Sequence, residues 1–234
     1  MEVIVGTSGY SYKEWKGSFY PADLPAAKML SFYAQQFRTV EINNTFYRMP
    51  EEKTLSRWIT EVPPDFKFVL KVPQRITHQK KLSGVEADFE HFFTVATALG
   101  PALGPVLVQL PPYLRKDVAK LESLLSLVPE GRSCAVEVRH ASWLDAEVYD
   151  VLRARNAALV AADTDEVGEP DALITPTGNW GYLRLRRTDY SEADLTAWAR
   201  RVEAKDWTTA WIFFKHEDEG KGPAYAKLFR DALR

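Results

Sequence analysis

The residues best suited to chemistry stand at the ends of short apolar runs. Glu41 and Asn43 close Val-Glu-Ile-Asn-Asn (40–44), Lys71 closes Phe-Val-Leu-Lys (68–71) and Gln109 closes Val-Leu-Val-Gln (106–109). Glu137 and Arg139 lie in Ala-Val-Glu-Val-Arg-His (135–140), Arg184 in Tyr-Leu-Arg-Leu-Arg (182–186) and Lys215 in Trp-Ile-Phe-Phe-Lys-His (211–216). Two carboxylates among several cations can move protons or hold an anion. Burial beside another carboxylate raises a glutamate pKa and a neighbouring cation lowers it, so the surroundings decide which. Glu137 and Glu41 are the candidate acid and base, with the two roles left open. Lys71, Arg139, Arg184 and Lys215 are the candidate anion ligands, and Gln109, Asn43, Tyr47, His78, Trp143 and Asp163 complete the expected ligand-binding set. The competing reading is a charge network that only fills the interior. Desolvation makes that a costly substitute for Val or Leu.

The elements that must position these groups follow from side-chain alternation. Along a strand Glu41 shares a face with Asn43, Glu137 with Arg139, and Arg184 with Tyr182 and Arg186. The opposite faces carry Val40 and Ile42, Val136 and Val138, and Leu183 and Leu185, which suit a helix layer. Strands are predicted at 3–6, 39–42, 66–72, 105–110, 133–138, 158–162, 180–186 and 209–215. Helices are predicted at 27–37, 52–60, 87–99, 117–127, 146–155, 192–204 and 224–233. The stretch 163–179 has no helical face, so the sixth crossover is expected to be irregular. Strand and helix in alternation, with nearly continuous apolar strands, imply a parallel sheet covered by helices. The strand count gives a TIM-type α/β barrel, one domain over 1–234, with ligands at the C-terminal ends of the strands. An open doubly wound sheet would usually carry a glycine-rich phosphate turn after its first strand, and Gly6-Thr7-Ser8-Gly9 is too short for one.

Five ordered segments carry a family likeness: 6–21 (Gly-Thr-Ser-Gly-Tyr-Ser-Tyr-Lys-Glu-Trp-Lys-Gly-Ser-Phe-Tyr-Pro), 39–48 (Thr-Val-Glu-Ile-Asn-Asn-Thr-Phe-Tyr-Arg), 66–78 with Phe-Lys-Phe-Val-Leu-Lys-Val-Pro and Ile-Thr-His, 103–112 (Leu-Gly-Pro-Val-Leu-Val-Gln-Leu-Pro-Pro) and 136–143 (Val-Glu-Val-Arg-His-Ala-Ser-Trp). Together they resemble the YecE-like family, a domain family of unknown function. The resemblance implies a TIM barrel and contributes positions rather than a reaction. This chain departs from the family in having Lys215-His216-Glu217 where many members carry an asparagine pair, so no role of those asparagines carries over.

Thirty basic against 32 acidic residues leave a formal charge of -2, so there is no global field to draw in nucleic acid or an anionic membrane. The lone Cys134 excludes an intramolecular disulfide and a thiolate metal cluster, and fits a reducing cytoplasm. The N-terminus lacks the pattern of a signal peptide, and no apolar run is long enough to span a bilayer. Glu41, Glu137 and Asp163 with His78, His140 or His216 have no metal-ligand spacing, and the neighbouring cations compete for the carboxylates. No metal and no cofactor are therefore expected. Tyr47, Trp143 and Trp180 are the expected cleft wall, and the basic loop 74–81 is read as solvated surface. The leading reading is a metal-free cytoplasmic enzyme acting on a small anionic ligand, phosphorylated or nucleotide-like. One alternative is a glycoside hydrolase using Glu41 and Glu137, which direct cation clamping of both carboxylates would argue against. The other is a nucleotide- or nucleic-acid-binding protein without turnover, which the near-neutral charge disfavours. The sequence does not set the oligomeric state.

Overall fold

The computed structural model describes residues 1–166 and 170–233. It begins with β1 (Glu2–Ser8), whose β-branched run becomes buried from Ile4 onward, and a long aromatic loop leads into the short α1 (Met29–Tyr33). Next come β2 (Thr39–Ile42), the single turn α2 (Asn44–Tyr47), α3 (Glu52–Thr60) and β3 (Lys67–Lys71). A single π-helical turn, Arg75–Gln79, precedes α4 (Glu86–Ala96), β4 (Leu103–Gln109), α5 (Val118–Ser126), β5 (Cys134–Glu137) and α6 (Ala146–Ala154). The chain continues through β6 (Ala158–Leu159), β7 (Ala161–Asp163), α7 (Pro170–Leu173), β8 (Trp180–Leu185), α8 (Glu192–Glu203), β9 (Thr209–Phe214) and α9 (Lys221–Ala232).

All strand pairs are parallel, in the order β6-β5-β4-β3-β2-β1-β9-β8-β7. β6 and β7 are two halves of one stave, interrupted at Val160. The lower half pairs with β5 and the upper half with β8, and this closes the sheet into a TIM-type barrel. The sixth crossover is irregular as expected, its only helix among the described residues being the one-turn α7; its residues 167–169 lie outside the described residues. The first predicted helix shrinks to Met29–Tyr33, and α4 stops at Ala96, before a kink at Gly100 followed by Pro101. Helix starts are specified locally: Asp117 and Asp145 cap α5 and α6, and Ser191 and Asp194 form a reciprocal capping box on α8.

Two apolar layers follow from the alternation. The outward strand residues, among them Val40, Leu70, Val108, Val136, Leu183 and Ile212, pack with helix residues such as Leu121, Leu152, Trp198 and Phe229. The inward residues form a second cluster that fills the barrel: Ile4, Val69, Leu107, Ala135, Ala158, Val160, Trp180, Tyr182, Trp211 and Phe213. One step of two residues further along the same strands, the inward positions become Lys71, Gln109, Glu137 and Arg184. An apolar floor therefore lies directly beneath a polar layer at the C-terminal ends. No helix among the described residues is long and apolar enough to cross a membrane.

Candidate functional site

Arg184 is the centre of the polar layer. Its Nη2 donates to Glu41 Oε1 at 2.8 Å and its Nη1 to Glu137 Oε2 at 2.5 Å, so one guanidinium from β8 ties β2 to β5 across the barrel. Glu41 also accepts from Ser8 Oγ at 2.7 Å, from Tyr182 OH at 2.6 Å and, more loosely, from Asn43 Nδ2 at 3.4 Å. Glu137 accepts from Gln109 Nε2 at 2.8 Å, from Arg139 Nε at 3.1 Å and from Arg186 Nη1 at 3.3 Å. Strand register explains the Gln109 bond, because Gln109 and Glu137 are direct partners on neighbouring strands. The other end of Gln109 takes the ammonium of Lys71, Nζ to Oε1 at 2.9 Å, and that ammonium also lies 3.9 Å from the centre of the Phe46 ring. Phe46 is held there because Thr45 Oγ1 anchors α2 to the Lys71 carbonyl at 2.6 Å. Gly9 sits at φ 94° just past β1, and its N–H reaches the Glu41 carbonyl at 2.8 Å. A side chain at Gly9 would strike Tyr12, whose hydroxyl is bound to the Ser8 carbonyl.

Glu41, Glu137, Arg184 and Lys71 are all buried, so their charges act through a weakly screening interior. Burial by itself would raise both glutamate pKa values, but Arg184 overrides it at Glu41, helped by the bonds from Tyr182 and Ser8. At Glu137 burial is likewise outweighed, first by Arg184 and then by Arg139 and Arg186, which bring that carboxyl down to about 2. Burial pushes the Lys71 ammonium down and Arg184 adds to this, while Glu41 and Glu137 each pull the other way, leaving it at about 8. The Tyr182 hydroxyl is pushed well up by burial and by Glu41, so it stays a hydrogen-bond donor. Two ionised carboxylates thus face four cations, Lys71, Arg139, Arg184 and Arg186, and the layer is positive. A carboxyl at about 2 has no proton to give at neutral pH and accepts one poorly, so the expected acid–base role of Glu137 does not fit this setting. Ionised and fully bonded, Glu41 fits it no better.

The structure unites Glu41, Asn43, Lys71, Gln109, Glu137, Arg139 and Arg184 as the alternation predicted. Lys215 follows β9 on the rim, exposed and without an ion pair among the described residues; partial burial of its ammonium and then Arg186 push its pKa down. His78 stands beside the layer, its Nδ1 2.8 Å from Thr77 Oγ1 and its ring 4.9 Å from that of Phe46. Burial and then Lys71 lower its pKa.

Other expected positions are corrected. Tyr47 is 73% exposed and touches Phe46 only by a ring edge, so it forms no cleft wall. Trp143 is sealed in the outer core and donates Nε1 to the Leu114 carbonyl at 2.7 Å. Asp163 points to the helix layer because Val160 and Ala162 occupy the inward positions of its stave. It accepts from Arg187 Nε at 2.8 Å, Tyr190 OH at 2.9 Å and Trp198 Nε1 at 3.1 Å. Trp180 faces inward but at the opposite mouth, where a cavity of about 490 Å³ is lined by Trp180, Trp211, Lys67 and Arg38 among others. Lys67 and Arg38 there are bound to the Pro101 carbonyl and to Glu2, and Arg132 lines the same cavity. A cleft of about 190 Å³ beside the polar layer is lined by Gly9, Tyr12, Asn43 and Trp58 among others. Sequence reasoning passed over Ser8, Phe46 and Arg186 as site residues. Only Arg186 left a signal, by sharing the strand face of Arg184.

The model of the family described as protein of unknown function DUF72 matches residues 4–234. The chain belongs to this family. Among DUF72 relatives, the UPF0759 protein YunF of Bacillus subtilis (strain 168) is 23% identical over 236 residues, covering 93% of this chain and 79% of YunF. The UPF0759 protein YecE of Escherichia coli (strain K12) is 33% identical over 115 residues, a match spanning 49% of this chain and 42% of YecE. A solved DUF72 family protein from Thermotoga maritima MSB8 superposes with a TM-score of 0.87 at 28% identity, covering 99% of this chain and 98% of that one. A DUF72 family protein from Enterococcus faecalis V583 superposes with a TM-score of 0.81 at 18% identity over 99% of this chain and 95% of its own, a likeness of fold.

Proposed function

We propose that the C-terminal mouth of the barrel binds a small anionic ligand, phosphorylated or nucleotide-like, and that the protein is an enzyme acting on it. The observation that carries this reading is the surplus of cations around Glu137. Arg139 and Arg186 both bond to Oε1 of this one buried carboxylate, yet their side chains keep 33% and 21% exposure. Each has guanidinium N–H groups left to offer, in the fork geometry that suits a phosphate or carboxylate. Lys71 and the rim Lys215 add charge from two other strands. Glu41 and Glu137 then serve as anchors that hold Arg184 and orient the outer arginines. A glycoside hydrolase is less well supported, because Arg184 clamps both carboxylates and keeps either from acting as a proton-donating acid. A continuous track for nucleic acid is not favoured by a chain of formal charge -2. The buried lone Cys134 fits a reducing cytoplasm.

The test is a melting curve with and without inorganic phosphate, since a ligand that binds only the folded state raises the melting temperature. The rise is expected in the wild type and lost in Arg139→Ala/Arg186→Ala. An equal rise in that double variant would place the anion elsewhere.

A further inference from the structure

Lys71 is placed unlike the other cations of the mouth. Each of the three arginines donates to a carboxylate, whereas among the described residues the Lys71 ammonium donates only to the neutral amide oxygen of Gln109. Gln109 is interposed by design of the register: its N–H side is committed to Glu137, so its carbonyl must face Lys71. A lysine that served only as counter-ion would sit on Glu137 directly. The second contact, the Phe46 ring face at 3.9 Å, also accepts no proton. The Gln109 oxygen can accept from this nitrogen whether or not it is charged; the ring face favours the charged form, while burial and Arg184 disfavour it. The residue is 8% exposed, at the inward C-terminal end of β3.

We infer that Lys71 is a nucleophilic amine that forms an imine with the carbonyl carbon of an aldehyde or ketone bearing an anionic group. For the anionic group the inference rests on the anion site proposed above; for the amine it rests on the setting of Lys71 alone. The nitrogen lone pair forms the N–C bond while the carbonyl π electrons move to oxygen. A proton passes from nitrogen to that oxygen, giving the carbinolamine. The nitrogen lone pair then expels the hydroxyl group, protonated from solvent, as water, and the iminium nitrogen returns a proton to solvent. Carbonyl and amine become imine and water, with no oxidant, reductant or metal consumed. Arg139 and Arg186 would hold the phosphate or carboxylate while this occurs. With its pKa at about 8 instead of 10.5, Lys71 carries roughly two orders of magnitude more free amine at neutral pH than an ordinary lysine.

The experiment incubates the protein at neutral pH with glycolaldehyde phosphate or with glycolaldehyde, adds cyanoborohydride to reduce any imine, and maps adducts by peptide mass spectrometry. Melting curves with inorganic phosphate run in parallel. The expected result is one reduced adduct, on Lys71, formed on the order of ten-fold or more faster than on any other lysine. The phosphorylated aldehyde should label at the lower concentration. Lys71→Arg, which keeps the charge, should lose the adduct. Lys71→Met checks the loss in a second folded background. Adducts spread over surface lysines, with Lys71 no faster than the rest, would overturn the inference even if phosphate still raised the melting temperature. Equal labelling of Lys71 by both aldehydes, without any phosphate shift, would uphold the amine and sink the anion site instead.

Discussion

Arg184 and Glu41 meet through Nη2 and Oε1 at 2.8 Å with side-chain exposures of 2% and 0%, and the same guanidinium reaches Glu137 through its other terminal nitrogen. Two carboxylates on opposite strands are thereby made compatible with one dry interior. The pairing also has a cost, since Arg184 Nε is buried without a hydrogen-bond partner among the described residues. Such a residue holds the barrel together only as part of the set.

Arg184→Met should therefore destabilise the protein by about 3–5 kcal/mol in urea unfolding, because it strands two buried carboxylates. Converting Glu41 and Glu137 to Gln in the same chain should recover most of the loss. If the single variant unfolds within about 1 kcal/mol of wild type, or the triple variant is worse than the single, the network is not the buried charge balance described above.

Stability should respond to pH through Glu137 and Lys71 in separate windows. Glu137 titrates at about 2 in the fold against an ordinary 4.5, so the fold holds fewer protons than the unfolded chain across that interval. Its stabilising contribution is complete above 4.5 and disappears as pH falls toward 2. Glu137→Gln should flatten this acid limb, and an unchanged limb would count against the assignment.

Lys71 titrates at about 8 in the fold against 10.5, so between these values the unfolded chain keeps a proton that the fold has released. Stability then rises with pH through this window, and below it the buried charge is a standing cost. Lys71→Met should be more stable relative to wild type at pH 7 than at pH 10, with the gap closing across the window. A gap constant with pH would mean that Lys71 titrates normally.

Asp163→Ala leaves the Trp198 indole N–H and the Tyr190 hydroxyl short of an acceptor, and should cost about 1–3 kcal/mol per stranded group. It should leave the phosphate-induced melting shift untouched. Loss of that shift with stability preserved would return Asp163 to the ligand site.

Period-two alternation made the site largely readable from sequence, and the same rule shows where the reading failed. For Glu41, Lys71, Gln109, Glu137 and Arg184 the outward neighbours are plainly apolar, so the polar residue had to face inward. For Asp163 the two preceding positions are alanines and the next is Thr164, all of which suit either face, and the register was settled only by closure of the split stave against β5 and β8. Trp180 alternates correctly but begins its strand, so its height along the barrel decides its mouth. Trp143 and Phe46 lie on loop turns, where no periodicity says whether an aromatic ring packs inward or lines a cleft. The low pKa of Glu137 was out of reach for a related reason: it depends on three arginines converging on one carboxylate, and spacing along the chain does not give distance across a barrel.

The aromatic floor formed by Trp180, Tyr182, Trp211 and Phe213 gives the polar layer a direction. Its apolar side chains stand between the surplus cations and the N-terminal cavity, which Trp180 and Trp211 line. The field lines must leave through the C-terminal opening, so the positive potential is concentrated on one aperture of a molecule whose formal charge is -2. An anion approaching from solution would feel a near-neutral body with a single attractive port, and its capture rate would fall with added salt although the protein as a whole repels it weakly.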